Sequence, residues 1–115
     1  MSSGDWKEMF DAALAGDLAL VKHHIKEGVD VDYVHPEYLS TTLVASILEK
    51  QEAVAHFLLD SGANPQLLSV FEGQTPIQAA YSTGQSALVA RLIELGAVMP
   101  ELEKPLKAKW WAFWS

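Results

Sequence analysis

The sequence predicts an all-α solenoid of stacked helix-turn-helix units joined by short finger loops. Three observations carry this. The dipeptides Gly28-Val29, Gly62-Ala63 and Gly96-Ala97 recur every 34 residues, a period typical of repeat architectures. At that shift the apolar positions superpose: Leu20-Val21 on Val54-Ala55 and Leu88-Val89, Ile25 on Leu59 and Ile93, and small Ala12 on Ser46 and Ala80. Each unit also reads as two short helices separated by a turn, and helices of two to three turns are marginal without packed neighbours.

Taken in order, residues 5–32 form an N-terminal capping repeat. Asp5, with Glu8 three residues on, is expected to form a capping box for the first helix, and Gly16 separates it from the second. Residues 33–66 form the second repeat, where Thr41 N-caps the first helix and Lys50 stands where a Gly separates the helices elsewhere. Residues 67–99 form the third. Thr75 caps its first helix, and Pro76 takes the first helical position, where a missing N–H costs nothing. Gly84 follows. Leu88, Val89, Leu92 and Ile93 then make one apolar stripe at helical spacing. Gly28, Gly62 and Gly96 end the second helices, as expected for left-handed C-terminal positions. Residues 100–115 are read as a truncated fourth repeat serving as C-terminal cap, so that all of 1–115 is one domain.

The stretch "GQTPIQAAYSTGQSALVARLIELGA", Gly73 to Ala97, resembles an ankyrin repeat. It has the family's T-P start, central Gly, aliphatic stripe and terminal Gly-Ala. "TTLVASILEKQEAVAHFLLDSGAN" is similar. The resemblance runs over Trp6–Asp32, Thr41–Gln66 and Thr75–Met99. Two features depart from it: the period is one residue longer than the usual ~33, and the finger before Thr41 has Leu39 in place of its Gly. The resemblance implies a non-catalytic protein–protein interaction module that binds through its fingers and the concave face of its first helices. It also gives Asp30 and Asn64 the role of bonding turn backbone, which accounts for the acid pair Asp30 and Asp32 without chemistry.

Fingers of this family are usually polar. Here they read "YVHPEYLS" and "QLLSVFEGQ". Tyr33, His35, Tyr38, Leu68, Val70 and Phe71 are therefore candidate partner-binding residues, with Glu72, like Glu37, suited to a basic or polar rim. Aromatic residues dominate binding hot spots. Two accounts stay open: a hot-spot patch, or fingers that pack on one another and on the Leu102–Leu106 segment.

The chain ends "KWWAFWS". In register Thr75 maps onto Lys109, Ile77 onto Trp111 and Ala80 onto Trp114, where a fourth repeat would begin. Stacked repeats need a cap at each end. Two buried rings, at about 25 cal/mol per Å2 and ~150–250 Å2 each, would contribute on the order of several kcal/mol as an upper bound. Trp110 and Phe113 point partly away from Trp111 and Trp114, so they join the candidate partner-binding residues. They also make a monomer or a weak homodimer the expected state.

A net charge of −7 disfavours nucleic-acid backbones. Ten acids and four bases fall in residues 1–58, against five and four in 59–115, so a basic partner would be steered to the N-terminal half. With no cysteine there is no disulfide framework or thiolate zinc site. His23 and His24 point about 100° apart on a helix and are read as packing residues, His24 half-buried at the register position of Leu58 and Leu92. No nucleophile motif or phosphate loop is present. The expectations are no enzyme activity, no cofactor and no metal. They are another protein as partner, no nucleic acid, and a cytoplasmic location, given no signal-like N-terminus. Two alternatives are a small acidic inhibitor or antitoxin-like protein neutralising a basic partner, and a peripheral membrane adaptor using the aromatic tail. The acidic chain opposes the second on anionic lipid.

Overall fold

The computed structural model describes residues 3–97. Met99, the Leu102–Leu106 segment and the aromatic tail with Trp110, Trp111, Phe113 and Trp114 lie outside the described residues. Six helices follow one another: α1 (Ser3–Ala15), α2 (Leu18–Lys26), α3 (Thr42–Leu48), α4 (Glu52–Asp60), α5 (Pro76–Ser82) and α6 (Ser86–Glu94). They pair as α1/α2, α3/α4 and α5/α6. The pairs stack α1 on α3 on α5, and α2 on α4. No strand is formed among the described residues; Ser69 and Gln74 make one isolated antiparallel bridge across the tip of a finger.

The helices begin and end as their residue types dictate. Asp17 Oδ1 accepts the Leu20 N–H at 3.1 Å and Thr41 Oγ1 accepts the Val44 N–H at 3.1 Å. The Gln78 side chain accepts the Thr75 N–H at 2.9 Å, next to a proline that needs no partner there. At the N-terminus Asp5 is not the N-cap that the sequence suggested. The helix already spans Ser3, so Asp5 is a first-turn acid; Glu8 brings Oε1 to 2.8 Å from His24 Nε2 without an aligned hydrogen bond.

Each first helix closes by the same backbone bond: Asp17 N–H to Ala12 at 2.9 Å, Gln51 to Ser46 at 2.9 Å, Gln85 to Ala80 at 3.0 Å. That closure requires a left-handed residue just before. Gly16 and Gly84 supply it without strain, and in the second repeat Lys50 is forced to φ 61°. Leu39 is likewise held at φ 55° where the third repeat has Gly73. These are the only non-glycine residues with positive φ among the described ones, and both stand where the sequence departs from the repeat pattern.

The core runs along the stack. α3 is buried on nearly every side, from Thr42 to Ile47, because α1, α4 and α5 surround it. Ala12, Ser46 and Ala80 are all buried, their small side chains leaving room for the neighbouring helix. Polar ties recur as well. Gln51 Nε2 donates to the Leu14 carbonyl at 3.1 Å, and its register partner Gln85 donates to the Ile47 carbonyl at 2.7 Å. Asp30 and Asn64 each cap their own turn, bonding the backbone N–H of Asp32 at 3.0 Å and of Gln66 at 2.9 Å. Asp32 reaches on to the Asn64 N–H at 2.9 Å, joining consecutive turns.

One expectation on burial is corrected. His24 is buried, not half-buried, at 6% exposure, because α1 packs on α2 and brings Glu8 against its ring. Within the apolar stripe of α6, Leu88 and Leu92 are buried and Ile93 is 53% exposed, since none of the described residues stacks beyond α6.

Candidate protein-binding groove

The first finger is nailed to α1 by a cluster of rings. Trp6, wholly buried, stacks on Phe10 with centroids 4.8 Å apart and on His35 at 5.5 Å. Tyr33 and Tyr38 meet it edge-on at 5.8 and 5.4 Å. His35 Nδ1 accepts the Glu37 N–H at 3.0 Å, which makes this nitrogen the unprotonated one. Such edge-to-face and offset pairs add about 0.5–1.5 kcal/mol each beyond their burial. Tyr33 and His35 are thus spent mainly on holding the finger down.

The second finger is tied to the first by polar bonds. Phe71 N–H donates to the Leu39 carbonyl at 2.8 Å, and Thr41 N–H donates to Ser69 Oγ at 2.8 Å. Glu72 closes the clasp, accepting from Ser40 Oγ at 2.8 Å through one oxygen and from Ser69 Oγ through the other. The fingers therefore pack on each other through polar groups. The apolar side chains of the second finger are left outside: Phe71 is 75% exposed, Val70 58% and Leu68 47%.

Between these fingers and the first two inner helices lies a groove of about 430 Å3. Phe10 and Leu14 of α1, with Ala45 and Leu48 of α3, supply an apolar floor; Tyr38 and Phe71 stand on the finger side. Three carboxylates, Glu37, Glu49 and Glu72, line the same groove, and no Lys or Arg lines it. Lys7 is close by, 5.9 Å over the Tyr38 ring, but it is bonded to Asp11 at 2.9 Å. That hydrogen bond and charge hold its ammonium above the ordinary lysine range.

Of the residues expected to bind a partner, the groove brings together Tyr38, Phe71 and Glu72. Tyr33 and His35 lie in the ring cluster beside it, and Leu68 and Val70 are exposed without lining it. Trp110 and Phe113 fall outside the described residues. The floor residues Phe10, Leu14, Ala45, Leu48 and the rim acid Glu49 were not singled out from sequence. Their apolar positions look the same as core positions of the helix pattern; only the exposed Glu49 beside a finger rich in rings hinted at them. No three His, Cys, Asp or Glu side chains among the described residues could hold a metal ion, and no helix among them is long and apolar enough to cross a membrane.

No protein-family model matches the chain. It is 43% identical over 72 residues to the glycerophosphocholine phosphodiesterase GDE1 of Eremothecium gossypii, a match that covers 62% of this chain and 5% of that protein. It is 30% identical over 89 residues to the inactive serine/threonine-protein kinase TEX14 of mouse, covering 77% and 6%. To the chloroplastic ankyrin repeat domain-containing protein EMB506 of Arabidopsis thaliana it is 37% identical over 65 residues, covering 56% and 20%. The chain thus spans a fifth or less of the length of these curated relatives. Among solved structures, the human ASB11 ankyrin repeat domain superposes with a TM-score of 0.69 at 33% identity, over 78% of this chain and 40% of that one. Repeating caps, repeating cross-helix glutamines and this superposition lead to one conclusion: the chain belongs to the ankyrin repeat proteins.

Proposed function

We propose that this chain is a non-catalytic binding module whose groove takes a short segment of another protein. The segment it suits presents an apolar side chain to the Phe10–Leu48 floor and a Lys or Arg to the rim. One observation carries this reading: an apolar floor lies open beside three carboxylates with no cation lining the groove. Burying one Leu- or Met-sized side chain there would contribute about 1.5–3 kcal/mol, and the charges would add orientation and encounter rate more than affinity. The acid excess of residues 1–58, in which most of the groove lies, favours the same sign of partner.

The test uses fluorescent peptides of matched length carrying a central Leu flanked by Lys, by Glu or by Ser, titrated against the full chain. The Lys-flanked peptide binds best, Phe71→Ala weakens it, and Glu49→Lys removes the preference for Lys over Ser. Equal binding of the three peptides, or affinity untouched by both substitutions, contradicts the reading. A second reading, an acidic protein that neutralises a basic partner by overall charge, draws on the same rim carboxylates. It is separated by salt: a loss of affinity across the whole salt series, with Phe71→Ala silent, selects charge neutralisation over groove capture.

A further inference from the structure

The third repeat ends in a face that its two predecessors keep covered. Ala13 and Val21 in the first repeat are wholly buried, as are Ile47 and Ala55 in the second, with Leu59 at 7% exposure. The next repeat lies over them, α3 on α1, α5 on α3 and α4 on α2. The residues at the same register in the third repeat are Tyr81, Val89 and Ile93. Tyr81 is 61% exposed and Ile93 53%. Together with Ala80 and Ala90 they frame a shallow concavity of about 410 Å3 with no charged side chain in its lining.

We infer that this concavity is the seat of the chain's own residues 109–115, with Trp111 and Trp114 set against Tyr81, Val89 and Ile93. The inference is independent of the groove reading. Reach supports it: eleven residues, 98–108, separate Ala97 from Lys109, the same number as the 64–74 finger that brings α5 onto α3. Register supports it as well. Trp111 and Trp114 stand where α5 has Ile77 and Ala80, both buried, at 1% and 0% exposure. Chemistry agrees, since the face carries no charge and residues 110–114 carry none. The larger rings fit because this face is a hollow open on its outer side, while Ile77 is buried within the stack. A face of this kind left in water is an association hazard, which the segment removes.

The experiment measures tryptophan emission, acrylamide quenching and thermal melting on the full chain. It compares the parent with Ile93→Lys, Tyr81→Ser, the pair Trp111→Ala/Trp114→Ala, and that pair combined with Ile93→Lys. Sedimentation is run at low and high protein concentration. Trp6 is buried in the core and serves as the constant background. The parent is expected to be a monomer with blue-shifted, poorly quenched emission at both concentrations. Ile93→Lys and the milder Tyr81→Ser each move emission to the red, raise quenching and lower the melting temperature by several degrees. The combined variant melts no lower than the tail pair alone, the signature of coupled residues. The inference is overturned if Ile93→Lys and Tyr81→Ser leave emission and melting unchanged, as exposed sites do, or if their effects add to those of the tail pair. It is equally overturned if the protected emission appears only at high concentration with the mass of a dimer, because a second copy then covers the face.

Discussion

Thr41 and Ser69, 28 residues apart in sequence, share a 2.8 Å bond in which the buried Thr41 N–H donates to the buried Ser69 hydroxyl. Thr41 is at the same time the N-cap of α3, so one residue fixes both the start of the central helix and the position of the second finger. Removing the hydroxyl would strand the Thr41 N–H away from water and free one oxygen of Glu72. Ser69→Ala is expected to cost about 1–3 kcal/mol, measured by urea denaturation. Peptide affinity at the groove falls with it, although Ser69 does not line the groove, because the latch holds Phe71 in place.

Lys50 and Leu39 hold left-handed backbone that a Cβ penalises by roughly 1–2 kcal/mol. Lys50→Gly is expected to raise stability by about 1 kcal/mol, the relief being partly offset by the freer unfolded chain. The reverse change at the equivalent position, Gly84→Ala, lowers it by a similar amount. Equilibrium unfolding of both variants checks the pair, and equal and opposite shifts identify the backbone as the cause.

His24 occupies the place that Leu58 and Leu92 fill in the other repeats, and all three are buried. An imidazole there surrenders apolar contact and leaves Nε2 with no aligned partner beyond the approach of Glu8. His24→Leu is expected to stabilise the first repeat by about 1 kcal/mol. Glu8, on the surface, can return to water, and a rise in the urea midpoint at unchanged slope is the expected readout.

Gln85 and Gln51 bridge successive repeats through carbonyls of the preceding first helix. Gln85 is the more buried, and Gln85→Ala leaves the Ile47 carbonyl without that bond, at a cost of about 1–3 kcal/mol. Because stability in stacked repeats is shared between nearest neighbours, the loss concentrates at one end. Hydrogen exchange should show α5 and α6 losing protection before α1 and α3 in Gln85→Ala. A uniform loss across all six helices would mean that this bond does not govern the last interface.

The architecture was legible because register is a property of sequence. Equivalent apolar, small and capping residues return at a constant step; the caps at Thr41 and Thr75 follow from residue type, and the turn bonds of Asp30 and Asn64 from the family resemblance. Even the two strained residues were visible, as the positions where Lys50 and Leu39 replace glycine. The groove was less legible. Phe10, Leu14 and Leu48 carry the same helical spacing as the core residues beside them, and only the placement of the fingers leaves them lining an open hollow. The fate of the finger aromatics depended on Trp6 of the first repeat, whose ring collects Tyr33, His35 and Tyr38 from the finger that follows that repeat. No local pattern announces such a contact. Phe71 stayed outside because backbone and serine bonds, and not apolar packing, hold its finger.

The most direct test of the groove as the working surface is amide chemical-shift mapping of the full chain with the Lys-flanked Leu peptide. The account predicts saturable shifts centred on Leu14, Tyr38, Leu48, Glu49 and Phe71, with Lys22 and Phe57 on the second helices unmoved. Shifts gathered instead along α2, α4 and α6, with the groove amides silent, would contradict it.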